Sequence, residues 1–256
     1  MELAELELDG KPVRYRVAGV GPPVVLVHGL SGSWRWWTSV YERLAERRRV
    51  YMLDLPRLGL RLSAAELGAW LGRWLRAGGL DSVDLVGHSL GGLVAAELAA
   101  SEPERVLRLA LVAPAGIPCG RRLSTRALRL VETLYDIRGR LPTMAGDALR
   151  AGPLGLIDGA FFASVRDLRA DLASVRAHSL LVWGELDRLV PMTVVPDWQQ
   201  ALPGARLVVL QCGHVPMWEA PNELAACLAT FLDEELPDDT STEKPGITAP
   251  VPPRSR

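Results

Sequence analysis

The chain has little of what marks secreted, metal-binding or membrane-spanning proteins. Its 256 residues include three cysteines, Cys119, Cys212 and Cys227, an odd number without any C-x-x-C pair. Neither a disulfide framework nor a zinc cluster is therefore expected, and the cysteines are predicted to be buried thiols. No apolar run approaches the length that spans a bilayer, and the opening MELAELELDG has no basic segment followed by an apolar one. We therefore expect a cytoplasmic protein with no metal and no membrane partner.

An excess of charge of either sign is also missing. The formal net charge is -1, with 48% hydrophobic and 23% charged residues. Such a composition is ordinary for a globular protein and gives no basic stripe for nucleic acid or anionic lipid. No Gly-Lys-Ser/Thr phosphate loop is present either. The expected partner is a small, roughly neutral molecule and not a nucleic acid, and the composition leaves the oligomeric state open.

Short apolar runs recur along the chain and are nearly continuous, as in strands that are covered on both faces of a parallel sheet. Helix-like stretches lie between them, notably AAELGAWLGRWLRAG and LGGLVAAELAAS. This alternation of strand and helix predicts an α/β fold. The N-terminal LAELELDGKPVRYRVAG differs, because two partly alternating segments flank Asp9-Gly10, which favours an antiparallel hairpin at the edge of the sheet. The predicted strands are 24–27, 50–53, 83–86, 107–112, 180–183 and 207–210.

The regular strand spacing is interrupted between Ala115 and about Arg176, where the chain shows amphipathic helical segments broken by Gly and Pro. We predict an inserted helical lid there; the alternative is that these helices simply extend the helical layer of the core. The final PDDTSTEKPGITAPVPPRSR has almost nothing apolar to bury and predicts disorder. The expected organisation is a first core segment, a lid, a second core segment and a disordered tail: 1–115, 116–176, 177–235 and 236–256.

The stretch LVGHSLGG at 85–92 contains a Gly-x-Ser-x-Gly motif, which alone is weakly specific. Its context is more informative, because Ser89 directly follows a predicted strand and precedes a predicted helix, as a nucleophile elbow requires. Side chains two residues before and after the serine would collide in such a turn, so Gly87 and Gly91 keep those positions bare. Gly92 would let the helix pack close to the sheet. The alternative is a tight turn in which Ser89 only caps the helix.

A nucleophilic serine needs a histidine base within hydrogen-bond reach. The chain has four histidines. His28 and His88 lie inside Gly motifs and His178 opens a strand run, so structural roles are expected for these three. His214 follows the last predicted strand and therefore falls on a loop at the carboxyl edge of the sheet, where α/β sheets place their ligands. We predict that His214 is the base.

The base in turn needs an acid that orients it. The strand before the last ends in LLVWGELDRLVP, which places Glu185 and Asp187 on the following loop. Asp187 is preferred for its Gly-x-x-Asp spacing, and Glu185 is a reserve candidate. This edge of the sheet is thus predicted to hold a serine, an acid and a histidine in that chain order, each at a strand end.

Four stretches, VVLVHGLSGSWRWW, VGHSLGGL, LVWGELDRLVP and QCGHVPMWEAPNEL, resemble the α/β-hydrolase superfamily over residues 5–235. The resemblance implies an α/β-hydrolase fold, a mostly parallel twisted sheet flanked by helices. It also implies that the backbone N–H groups of Leu30 and Leu90 bind the oxyanion. One departure is DLPRLGLRLS, where Arg57 replaces an expected glycine, which leaves the shape of that loop open. Asp54 in the same stretch is expected to be structural.

The implied function is a carboxylesterase-like serine hydrolase acting on a small-molecule ester of short to medium acyl chain. In this mechanism Ser89 attacks the acyl carbon, His214 transfers the proton and Asp187 orients the imidazole, so no cofactor or metal is needed. Carbon–carbon bond hydrolases, lactonases, thioesterases and cofactor-free haloperoxidases or perhydrolases share the same three residues. A hydrolase-like binding protein without turnover is a further alternative, against which the intact set argues. Apolar lid residues are candidate pocket walls: Leu130, Leu134, Met144, Leu154, Phe161 and Phe162.

Overall fold

In the computed structural model, the described part of the chain folds around one sheet of eight strands in the order β1-β2-β4-β3-β5-β6-β7-β8. The structure describes residues 1–56, 63–119 and 166–236, and between the last two only 139, 143, 145–149, 152, 156, 160, 163 and 165. The strands are β1 Glu2–Leu8, β2 Lys11–Ala18, β3 Pro23–Val27, β4 Arg49–Leu53, β5 Val83–His88, β6 Val106–Val112, β7 His178–Gly184 and β8 Arg206–Leu210. All six strands predicted from apolar runs are present.

Helices connect the strands. They are α1 Tyr41–Ala45, α2 Ala64–Ala77, α3 Leu90–Ser101, α4 Val195–Ala201, α5 Pro216–Glu219 and α6 Pro221–Asp233. Short 3₁₀ helices cover Trp34–Trp37, Pro103–Arg105, Asp171–Ser174 and Met192–Val194. Helix α2 begins with a capping box, in which Ser63 and Glu66 each accept the other's backbone N–H. Among the described residues, no helix is long and apolar enough to cross a membrane.

The predicted antiparallel edge is confirmed. Strands β1 and β2 pair antiparallel through a turn in which Asp9 (φ 52°) and Gly10 (φ 72°) are both left-handed, as a two-residue hairpin requires. Strand β2 also pairs antiparallel with β4, whereas every pair from β4 through β3 to β8 is parallel. The sheet is therefore mostly parallel.

Both faces of the parallel sheet are covered, which explains the continuous apolar runs. In β3, Val25 and Val27 belong to the core under α2 and α3, whereas Val24 and Leu26 belong to the opposite core under α1 and α6. Alternate residues of a strand face opposite sides, so a strand buried on both sides must be apolar at each position. Helix α3 is buried along nearly its whole length.

The two ends of the predicted lid segment lie together. The N–H of Leu168 donates to the carbonyl of Gly116 at 2.8 Å, so the chain leaves the core and returns to it at one place. The lid itself stays a prediction, because all six of its candidate pocket walls fall outside the described residues. Arg57 and the tail from 237 onward also fall outside them.

Candidate active site

Parallel strands bring three candidate side chains to one edge of the sheet. Ser89 directly follows β5, Asp187 lies three residues beyond the end of β7, and His214 lies four residues beyond the end of β8. Strands that run in the same direction end at the same edge, so residues 125 positions apart in sequence meet in space.

Ser89 sits in a backbone conformation that L-residues rarely adopt, with φ 52° and ψ -117°. Such strain costs about 1–3 kcal/mol and persists only where the surroundings hold it. Here the N–H of Ser89 donates to the carbonyl of Val112 at 3.0 Å. Its carbonyl accepts from the N–H groups of Leu93 and Ala115, at 3.1 and 3.0 Å. The turn therefore projects the Ser89 side chain at the edge of the sheet.

The glycines around Ser89 are required by close contacts. A Cβ on Gly87 would overlap the carbonyl oxygen of Gly91, as the sequence argument expected. A Cβ on Gly91 would instead overlap the carbonyl oxygens of Val27 and His28, where the chain leaves β3. Gly92 allows close packing against the loop after β6, since its Cβ would lie 2.8 Å from that of Pro114.

His214 lies between the serine and the aspartate. Its Nε2 is 3.1 Å from Ser89 Oγ and its Nδ1 is 2.8 Å from Asp187 Oδ2. A neutral imidazole whose Nδ1–H donates to the carboxylate leaves Nε2 as an acceptor for the serine hydroxyl. The residue is 5% exposed, which keeps bulk water from most of the ring. The arrangement can take the proton of Ser89.

Asp187 is fixed by further hydrogen bonds. Its Oδ1 accepts from the N–H groups of Leu189 and Val190, at 2.9 and 2.8 Å, which leaves Oδ2 for His214. Trp183 closes the same loop, because its Nε1 donates to the carbonyl of Val190 at 2.8 Å. Glu185, the reserve candidate, is exposed and accepts a hydrogen bond from Gln211 instead. The structure thus brings Asp187 to the imidazole and leaves Glu185 outside.

The other histidines hold the framework. The Nδ1 of His28 lies 2.8 Å from the carbonyl of Gly29, and its Nε2 accepts from the N–H of Leu55 at 3.0 Å. His178 begins β7 at the opposite end of the sheet, 3.4 Å from Glu234. His88 is buried and bonds to the carbonyl of His214, and burial lowers its pKa well below the ordinary 6.5.

The two backbone N–H groups that are predicted to bind the oxyanion, those of Leu30 and Leu90, belong to turns next to Ser89. The carbonyl of Gly29 accepts from the N–H of Gly32 at 3.0 Å, so the turn does not use the N–H of Leu30. Leu90 opens α3, so its N–H belongs to the first turn, which has no intrahelical acceptor. The turn at Gly29–Gly32 lies against the start of α3, because a Cβ on Gly29 would be 3.2 Å from the Cβ of Ser89.

The segment after β3 is anchored from outside. Asp54 accepts the backbone N–H of Trp34 at 2.7 Å, which is the structural role that the sequence suggested. Asp147, within the predicted lid, was not foreseen: its Oδ2 accepts from Ser33 Oγ at 2.9 Å and from Trp36 Nε1 at 3.2 Å. No strand end or motif in the sequence places Asp147 beside these partners, which lie 114 and 111 residues away.

Glu219 was also missed, although a local signal existed. Its Oε2 accepts from the N–H of Gly213 at 2.7 Å and its Oε1 from the N–H of Val215 at 2.8 Å. The six-residue spacing in GHVPMWE would have allowed such a return hydrogen bond.

Among the described residues, no group of three or more His, Cys, Asp or Glu side chains could hold a metal ion.

Comparisons with known proteins place the chain in a family. The model of the alpha/beta hydrolase family matches residues 24–227. The dihydrolipoyllysine-residue acetyltransferase component of the acetoin cleaving system from Cupriavidus necator is 32% identical, over 88% of this chain and 68% of its own length. The pimeloyl-(acyl-carrier protein) methyl ester esterase of Aeromonas hydrophila is also 32% identical, over 84% of this chain and 96% of its own length.

The fold has close structural counterparts as well. The crystal structure of a membrane phospholipase A, a bacterial virulence factor, matches with a TM-score of 0.78 and 25% identity, over 91% of this chain and 86% of that chain. The family model covers most of the chain, and the mostly parallel eight-stranded sheet of the described residues agrees with it. The protein belongs to the alpha/beta hydrolase family.

Proposed function

We propose that the protein is a serine hydrolase that cleaves carboxylic esters of short to medium acyl chain through an acyl-enzyme. One observation carries the proposal: two consecutive hydrogen bonds link Ser89 Oγ to His214 Nε2, at 3.1 Å, and His214 Nδ1 to Asp187 Oδ2, at 2.8 Å. A serine hydroxyl is a weak nucleophile until an adjacent base accepts its proton, and this arrangement supplies that base.

The first half-reaction forms the acyl-enzyme. Ser89 Oγ attacks the acyl carbon while His214 Nε2 takes its proton, and Asp187 stabilises the resulting imidazolium. The negative charge that develops on the carbonyl oxygen is bound by the N–H groups of Leu30 and Leu90. Collapse of this intermediate breaks the ester bond, and His214 returns the proton to the leaving alcohol.

The second half-reaction releases the acid. A water molecule attacks the acyl carbon, and His214 Nε2 takes the proton of that water. The tetrahedral intermediate then expels Ser89 Oγ, which regains its proton from the imidazolium, so the enzyme returns to its starting state. These steps use only side chains and backbone N–H groups, and they require no metal or cofactor.

The ester substrate class is supported by the relatives. One that is 32% identical is named a methyl ester esterase, and another at the same identity is named an acetyltransferase. Both names describe reactions at an acyl carbon, which suits a serine activated as Ser89 is. The acyl chain length and the cytoplasmic location stay predictions.

Other reactions share the serine, histidine and aspartate. Carbon–carbon bond hydrolysis, lactone or thioester hydrolysis and perhydrolysis differ in the bond that breaks and in the final acceptor. A binding protein without turnover would need no hydrogen bond between Ser89 and His214, and the presence of that bond favours an enzyme. Substrate measurements separate these possibilities.

The test is hydrolysis of a p-nitrophenyl ester series from acetate to palmitate by the wild type and by Ser89→Ala. The variant should lose on the order of 10⁴-fold or more in kcat, because the nucleophile is gone. Ser101→Ala is a matched control, since this serine lies at the far end of the same helix and donates to backbone carbonyls. Activity above a few per cent in Ser89→Ala would identify another nucleophile. No turnover by the folded wild type would favour the other reactions or a binding protein.

A further inference from the structure

Glu219 makes two hydrogen bonds that bracket His214. One carboxylate oxygen accepts from the N–H of Gly213 and the other from the N–H of Val215, at 2.7 and 2.8 Å. Hydrogen bonds to an ionised acceptor are stronger than those between neutral groups, and two of them fix a direction as well as a distance. The residues immediately before and after His214 are therefore both held by one side chain.

A third hydrogen bond holds His214 itself. The carbonyl of His214 accepts from His88 Nε2 at 2.8 Å, and the two ring centroids are 5.0 Å apart. His88 is 1% exposed, so water does not compete for this bond. His88 also directly precedes Ser89 in the chain, which ties the position of the histidine loop to the turn that carries the serine.

The segment between β8 and α5 needs such support. Residues 211–215 form neither helix nor strand, so no regular ladder of backbone hydrogen bonds defines where His214 stands. Its imidazole must nevertheless reach Ser89 and Asp187 at the same time. A misplacement of about 1 Å in such an arrangement can cost about 100-fold in rate.

We propose that Glu219 and His88 are positioning residues, which clamp the backbone of residues 213–215 so that the His214 ring lies between Ser89 and Asp187. The inference rests on the proposed function, since it assumes that His214 is the base. Both side chains make their hydrogen bonds to the backbone of residues 213–215 and not to the hydroxyl of Ser89, so both act through His214.

The chemistry of the two side chains suits this role. A carboxylate has an acceptor oxygen for each of the two N–H groups, whereas a glutamine in its place would offer one acceptor and one donor. Burial and the neighbouring His214 hold the pKa of His88 well below its ordinary value. His88 therefore stays neutral and adds no positive charge that would oppose protonation of His214 during the reaction.

The experiment compares Glu219→Gln and Glu219→Ala with the wild type in ester hydrolysis. Both variants should lower kcat by about 10- to 100-fold with little change in KM, because the position of the base is altered while the substrate site is not. Labelling of Ser89 by a fluorophosphonate should slow by the same factor, since it reports serine activation directly. Thermal unfolding checks that each variant is folded.

The matched control is Glu66→Gln. The Glu66 carboxylate also accepts a backbone N–H, that of Ser63 at the start of α2, but it has no contact with His214. This variant should keep the wild-type kcat and labelling rate. If Glu219 had a purely structural role, its variants would unfold at a lower temperature, but their folded fraction would keep the wild-type kcat. That result would overturn the proposal.

His88 gives an independent test that does not depend on the folding of the Glu219 variants. His88→Gln can place an amide N–H near the position of Nε2, whereas His88→Phe keeps a ring without a donor. We expect His88→Gln to retain more kcat and faster labelling than His88→Phe. Equal values for these two variants would contradict the role of the hydrogen bond. Retained activity in Ser89→Ala would instead overturn the proposed function, so the two failures are distinguishable.

Discussion

Asp187 and His214 are joined by a hydrogen bond of 2.8 Å between Oδ2 and Nδ1. The other oxygen of the carboxylate is held by two backbone N–H groups of its own loop. Glu185, only two residues earlier, points to Gln211 at the surface. The loop after β7 therefore places Asp187 in contact with the imidazole and directs Glu185 to the surface.

Asp187→Asn should lower kcat by about 10⁴-fold, because an amide stabilises the wrong imidazole tautomer and cannot stabilise the imidazolium. Glu185→Gln should leave kcat at the wild-type level, since Glu185 has no contact with His214. Steady-state ester hydrolysis by both variants checks the prediction. The assignment of Asp187 would be wrong if Glu185→Gln proved to be the inactive variant.

Gly91→Ala should destabilise the fold, because the added methyl group would overlap the carbonyl oxygens of Val27 and His28. The expected loss in the free energy of unfolding is about 1–3 kcal/mol, as for overpacked interiors in general. Gly78→Ala is the control, since the nearest atom to its Cβ lies at 3.4 Å and its φ is -81°. Urea unfolding should show a clear loss for the first and nearly none for the second, and equal losses would count against the close contact.

His88 should make the fold less stable in acid. In the folded protein burial keeps the pKa of His88 well below 6.5, so the ring stays neutral, while in the unfolded chain it gains a proton as the pH falls through its ordinary value. The unfolded state then binds the extra proton, and stability is lost below about pH 6.5 and unaffected above it. Between about pH 7.5 and pH 5 the folded protein therefore loses stability through His88, because the unfolded chain gains a proton there that the folded state does not bind.

Urea unfolding of the wild type and of His88→Gln at both pH values tests this linkage. The other histidines are present in both proteins, so the difference between the two losses reports His88 together with its coupling to His214. The wild type should lose more stability between the two pH values than the variant does. Parallel losses would mean that His88 does not stay neutral in the folded state.

The prediction that all three cysteines are buried thiols is correct for one of them only. Cys212 is buried, and burial together with the charges of Glu219 and Asp187 raises its pKa to about 12. Cys119 and Cys227 are only partly buried. Composition alone indicates that cysteines favour interiors, but the depth of each depends on which elements cover it.

The sequence by itself determined the strands, the helices α2 and α3 and the turn at Ser89. Strands buried on both faces must be apolar at consecutive positions, and a strand-to-helix turn this tight needs glycine at Gly87, so both features are written locally. Gly91 is instead required by the carbonyl oxygens of Val27 and His28, which the sheet brings next to the turn. The sequence also brought Ser89, Asp187 and His214 to one edge, because parallel strands end together.

The sequence favoured Asp187 over Glu185 by its spacing, but only the tertiary structure decided what separates the two acids and what holds His214 in place. Glu185 and Asp187 differ by two residues in sequence, and their separation depends on the loop that Trp183 and Val190 close. The bond from His88 to His214 spans 126 residues, and that from Ser33 to Asp147 spans 114. Such contacts form only when the sheet assembles. Local sequence patterns, such as the spacing of apolar residues, do not predict which distant residues they join.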